Sequence, residues 1–194
     1  MVGQPQIARL WIGVLALLLA GACAAQPYTA EGHCRDGLPH GNYELRDANG
    51  TLRAVGAFNR GKRTGSFIFW SSEGGRIAHL PFDEDLLSGT LATWYTGKST
   101  KDPQRKVEAV YSRGKLNGGK RSWYPDGRPR AEYRYQRGEL REASATAPDG
   151  KALGAGEARA LAQRDAAADS AFVDSLLAIV AANPPRCEAA GDRA

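Results

Sequence analysis

Three cysteines, three histidines and one methionine are all that 194 residues hold of the side chains most used for soft-metal and redox chemistry. The chain also lacks a Gly-x-Ser-x-Gly turn, a phosphate-binding loop and a His-Glu-x-x-His helix. Those patterns place a serine nucleophile, a nucleotide phosphate and a catalytic zinc, respectively. His33, Cys34 and His40 lie near one another, but no second cluster completes a four-ligand site. Asp83-Glu84-Asp85 offers three adjacent acids, either a calcium loop or a solvated turn; a hard cation needs six or more oxygens in a defined loop, which favours the turn. No catalytic residue, metal or cofactor is expected, and the chain reads as a non-enzyme.

Long apolar runs are also scarce. The one run, Leu10–Ala20, follows Arg9 and ends in Gly21-Ala22-Cys23-Ala24-Ala25. A basic start, a short apolar core and a small-residue cleavage zone describe a secretory signal over 1–22, and the run is shorter than the roughly 20 residues a membrane span needs. Ala20-Gly21-Ala22-Cys23 resembles the lipobox of bacterial lipoproteins, which implies lipidation of Cys23, a membrane anchor and a place in the periplasm or at the outer membrane. Cleavage after Ala24 or Ala25 satisfies the same rule and gives a freely soluble form. Residues 23–34 then read as a tether. In an oxidising compartment the two remaining cysteines, Cys34 and Cys187, most simply pair; two free thiols are the alternative.

Charge is uneven: residues 35–142 carry 20 Lys/Arg against 13 Asp/Glu, and residues 143–194 carry 5 against 7. The basic part favours an anionic partner, though nucleic acid is rarely met by an exported protein.

What the chain has in abundance is glycine at regular intervals. Gly41, Gly65, Gly89 and Gly118 stand 24, 24 and 29 residues apart, with a degenerate fifth anchor at Glu142; an insertion around Ser99–Pro103 accounts for the long interval. Trp70, Trp94 and Trp123 follow five residues after an anchor, and a turn glycine recurs near the ninth. Segments such as Ser66–Trp70 and Thr90–Trp94 fit a half-buried pleated surface. Asn49-Gly50, Gly74-Gly75, Asp126-Gly127 and Asp149-Gly150 predict two-residue hairpin turns. The returning segments alternate, as in Ala78-Leu80-Phe82 and Ala131-Tyr133-Tyr135, which puts those side chains on one face. Each unit is a hairpin that must stack on its neighbours to be stable. The indoles are expected as core rather than as ligand contacts, with Tyr95 and Tyr124 on the opposite, wetter face.

The run Gly118–Gly127, with Trp123-Tyr124 inside it and Tyr135-Gln136-Arg137-Gly138 after it, resembles the MORN-repeat variant, a repeat found in bacterial antitoxin-like proteins. The resemblance covers residues 35–150. It implies an all-β repeat: an elongated single-layer antiparallel meander of about five β-hairpins, with a binding or scaffolding role. Tyr and Arg are frequent interface hot spots, so Tyr95, Arg121, Tyr124, Arg130 and Arg134 are the expected contacts for an unidentified protein partner in the cell envelope. One form of that role is an antitoxin or immunity-type inhibitor. The other reading is a structural envelope lipoprotein lying on anionic lipid or glycan.

Residues 155–183 form the one remaining element. Alanine dominates, and Phe172, Val173, Leu176, Leu177 and Val180 make an apolar stripe, with Asp165, Asp169 and Asp174 expected opposite it. Acid on the polar face argues for a C-terminal α-helix packed on the sheet rather than one lying in a membrane. Asn183-Pro184-Pro185 ends it, and 184–194 is a tail.

Overall fold

A repeat anchored on glycine implies a backbone that other residues do not adopt cheaply. The computed structural model, which describes residues 28–96 and 103–187, contains that backbone. Gly41, Gly65, Gly89 and Gly118 all have positive φ, between 67° and 137°, a range open to glycine without strain. Each anchor stands opposite the last aromatic of the returning strand: Phe58, Phe82, Tyr111 and Tyr135. The anchor therefore leaves the ring room on the sheet.

Eleven strands result. The first six are β1 (Thr29–Arg35), β2 (Leu38–Arg46), β3 (Leu52–Asn59), β4 (Lys62–Trp70), β5 (Arg76–Asp83) and β6 (Leu86–Leu87). They are followed by β7 (Gly89–Trp94), β8 (Arg105–Ser112), β9 (Lys115–Trp123), β10 (Pro129–Gln136) and β11 (Glu139–Ala145). All pair antiparallel in one meander running β1 to β11 in chain order, with the short β6 pairing only with β5. The expected all-β repeat sheet is present, with one helix, α1 (Ala155–Ala182), after it. The expected signal segment, Cys23 and much of the expected insertion lie outside the described residues.

Two expectations need correction at this level. Residues 29–34, assigned to the tether, belong to edge strand β1: pairing with β2 satisfies half of their main-chain groups. The two-residue turns also sit at the other ends of the hairpins. Asp36-Gly37, Arg60-Gly61, Glu84-Asp85, Arg113-Gly114 and Arg137-Gly138 have both residues at positive φ, which is the type I′ geometry. In the Asn-Gly and Asp-Gly loops only the glycine is left-handed; the Asp47 N–H reaches the Thr51 carbonyl at 3.0 Å and the Gly50 N–H the Asp47 carbonyl at 2.9 Å. That is a three-residue loop closed by a glycine bulge, which Asn-Gly serves equally well.

The helix decides how the sheet is used. At 28 residues it is about 42 Å long, and ten strands spaced about 4.8 Å apart span about 43 Å. It lies across the strands over their whole breadth. At its C-terminal half Val173, Leu176 and Val180 pack on Tyr43, Leu45, Phe67, Leu80 and Leu91. There Tyr43, Phe58, Phe67 and Phe82 meet edge to face at 5.5–5.6 Å between centroids, a favoured aromatic arrangement. At its N-terminal half Ala158 and Ala162 pack on Ala131, Tyr133, Tyr135 and Ala145.

Between the two apolar contacts the helix is held by charge. Asp165 accepts two bonds from the Arg130 guanidinium, at 2.6 and 3.0 Å, and one from the Tyr133 hydroxyl at 2.8 Å. Asp169 lies 2.6 Å from Lys120 Nζ. Asp165 and Asp169 therefore face the sheet, contrary to the expectation that they lie outward. Burial alone would raise the Asp165 pKa, but the bonds from Arg130 and Tyr133 outweigh it and hold the carboxyl below the usual range. Beyond the helix, Asn183 Nδ2 caps the Ile179 carbonyl at 2.8 Å and the Asn183 carbonyl accepts from Tyr43 Oη at 2.8 Å. Cys187 then bonds to Cys34 on β1. The disulfide ties the far end of the helix to the first strand.

Candidate functional site

With one face of the sheet under the helix, side chains of the opposite phase are left on an uncovered face. They fall in register across all ten strands of the meander. Glu31, Glu44, Val55, Ile68 and His79 are successive cross-strand partners, followed by Ala92, Glu108, Arg121, Glu132 and Ser144. The row is acidic at the β1 end, uncharged across β3 to β7 apart from His79, and alternates in sign across β8 to β10. Of these ten residues Ala92 alone is buried, at 5 % exposure.

The centre of the row carries a hydrogen bond of 2.8 Å between His79 Nε2 and Ser66 Oγ. Burial, and then the nearby Arg76, lower the His79 pKa, which suits a base. Among the described residues, however, no carboxylate bonds to the ring, so the third, orienting group of a nucleophilic triad is missing. The pair reads as a cross-strand contact.

The expected partner-binding residues do not share this surface. Arg121 and Arg134 do lie on it, the first 3.2 Å from Glu108 and the second 3.6 Å from Glu142, both largely exposed. Arg130 turns to the covered side, where Asp165 occupies its guanidinium. Tyr95 and Tyr124 are partly buried staples between units: their hydroxyls donate to the Trp123 carbonyl at 2.8 Å and the Thr146 carbonyl at 2.7 Å. The indoles also differ from expectation. Only Trp94 is buried, at 7 % exposure, with the Arg76 guanidinium 4.1 Å above its ring. Trp70 and Trp123 are half-buried, and none of the three belongs to either apolar cluster. Phe and Tyr at the inward positions fill that role.

Glu84 and Asp85 of the acidic triplet form a type I′ turn and pair with Lys62 at 3.1 Å and Arg63 at 2.7 Å. No group of three or more potential metal ligands occurs among the described residues.

One feature of the uncovered face escaped the pattern. Over β9 to β11 it opens into a groove of about 890 Å³ lined by Asn117, Gly118, Gly119, Glu132, Arg134 and Glu142 among others. The available signal was the doubled glycine, Gly118-Gly119, where the other units have one. No protein-family model matches this chain, and no curated protein matches it.

Proposed function

We propose that this chain is a non-enzymatic exported repeat protein of the MORN-variant type, anchored through Cys23, that holds another envelope protein against its uncovered sheet face. The observation that carries the reading is the division of labour between the faces. The helix, its ion pairs and the disulfide close one side, while the other presents a registered row across ten strands. A pre-formed sheet surface of this kind lowers the ordering cost of binding. An immunity-type inhibitor that occludes a delivered toxin is one form of the same role.

The test is a photo-crosslinking amino acid at Ile68 or Thr90 on the uncovered face, with Ala160 on the outer side of the helix as control. The expected result is one stoichiometric envelope adduct from the first two positions and none from the third. Equal labelling from all three, or none from Ile68 and Thr90, overturns the reading. Tyr124→Ala is a poor probe of binding, because it removes the bond to Thr146.

One observation favours a second reading, a structural lipoprotein resting on anionic lipid or glycan. Arg60, Arg113 and Arg137 take the left-handed first position of three turns on one rim, with φ of 49°, 50° and 52°, where Asn or Gly is cheaper. Attachment of that kind weakens steadily with salt and leaves no stoichiometric adduct.

A further inference from the structure

Two side-chain polar atoms are buried without a hydrogen bond among the described residues, Lys120 Nζ and Asp169 Oδ2. They lie 2.6 Å from each other. Buried polar groups are almost always hydrogen-bonded, and a buried ion pair holds best where its bonds are aligned and its remaining donors satisfied. Here an amine and a carboxyl group are pressed together with neither condition met. Contact without that alignment is what bond formation requires, since the nitrogen must reach the carboxyl carbon rather than an oxygen lone pair.

The surroundings favour reaction. The cross-strand neighbours of Lys120 are Ala109 and Tyr133, both buried, and the Tyr133 ring centre is 5.7 Å from Nζ. Both contacting atoms are closed to solvent, so water does not compete for the carboxyl carbon. Each group stands on a rigid element, Lys120 inside β9 and Asp169 in the middle of α1. One turn earlier on the same helix face, Asp165 is clamped by Arg130 and Tyr133, which keeps Asp169 from swinging away. Reactants held in this manner meet at an effective concentration of about 10⁵–10⁸ M, which drives condensation that free amines and acids do not undergo in water.

We infer that Lys120 and Asp169 are a self-modification site, joining as an intramolecular isopeptide bond. One proton passes from Nζ to Oδ2, the nitrogen lone pair forms a bond to Cγ, and the Cγ–Oδ2 bond breaks. Oδ2 leaves as water with two of the three ammonium hydrogens, Oδ1 becomes the amide carbonyl, and nitrogen keeps one hydrogen. No electron changes hands and no co-reactant is needed. The bond ties β9 to the middle of α1, as the disulfide ties the far end of the helix to β1. Closure follows folding, because only the packed helix brings Asp169 to Lys120. Freshly made protein therefore carries the open ion pair, and its urea stability reads the charges alone.

The test is mass spectrometry of the whole folded protein, incubated at physiological temperature, then reduced, denatured and digested with trypsin. The expected product is a branched species in which Leu116–Arg121, uncut after Lys120, is joined to Asp165–Arg186 and lighter than the two peptides by one water. On a reducing, denaturing gel the closed chain should run ahead of freshly made protein, because residues 120 to 169 form a covalent loop. Lys120→Arg keeps the positive charge but has no amine able to attack, so it should give separate peptides at full mass. A succinimide at Asp169-Ser170 also loses one water, but it needs no lysine and yields no branch. Separate, unmodified peptides from the incubated parent would overturn the proposal. So would a loss of water that persists in Lys120→Arg.

Discussion

Lys120 gives the sharpest energetic prediction. Its side chain is 2 % exposed, Asp169 opposite is 21 % exposed, and Nζ and Oδ2 lie 2.6 Å apart. The two atoms touch without good hydrogen-bond alignment, so the pair is held by charge. Lys120→Met leaves Asp169 facing an apolar neighbour. Removing one partner of a buried pair costs about 3–5 kcal/mol, and the partial exposure of Asp169 argues for the low end, about 3 kcal/mol. For a chain of this size that lowers Tm by about 6–12 °C. Replacing both, Lys120→Met with Asp169→Leu, should restore stability or exceed the parent, because the desolvation of two charges is removed as well.

The pair also has a second task. The sheet repeats every two strands, about 9.6 Å, and a helix advances about 10.5 Å in seven residues. A helix displaced by seven residues thus lands on near-equivalent apolar positions. Lys120 and Arg130 of the fourth unit meet Asp169 and Asp165, and with the disulfide they fix the register. Urea denaturation of the two singles and the double gives the cycle. A loss below about 0.5 kcal/mol for Lys120→Met, or a double variant as unstable as the summed singles, refutes this reasoning.

Three further outcomes follow from the same contacts. Gly56→Ala sets a methyl against the fully buried Phe67 ring and should cost at least about 1–3 kcal/mol as overpacking, read by denaturant titration; a neutral result contradicts the packing. Asp165 has a folded pKa below its unfolded value, so its stabilisation is complete above the unfolded pKa of about 4 and is lost as pH falls through the folded value. Unfolding midpoints from pH 7 to pH 2 should show this acid loss, and Asp165→Asn should flatten it. Reducing Cys34–Cys187 should lower stability by about 2–4 kcal/mol with helical circular dichroism retained; an unshifted midpoint contradicts the tether.

The repeat was legible because its anchors answer a backbone requirement: Gly41 through Gly118 could be little else. The returning strands were legible because alternation maps directly onto the two faces. The helix and the disulfide followed from alanine content and from the two cysteines left over. Strand β1 was not legible, since half a hairpin leaves no period to detect. The turn assignment failed because Asn-Gly suits two loop geometries alike. The inward aspartates were misplaced because amphipathic patterning assigns charge to solvent. The signal against it was Lys120, which stands two residues after its anchor, where the earlier units carry Tyr43, Phe67 and Leu91. Tyr95 and Tyr124 looked like free contact residues because nothing local shows which carbonyl a hydroxyl will reach in the next unit.

The central claim is that one face of the repeat sheet is sealed by the helix and the other is open. Single cysteines at Ser66, Thr90, Glu132 and Ser144, and at Ala54, Ala78, Ala109 and Ala145, probe the two faces by maleimide labelling of native, disulfide-intact protein. The first set is exposed and the second buried. Fast labelling of the first four and protection of the last four is the expected outcome; equal rates in both sets would contradict the account.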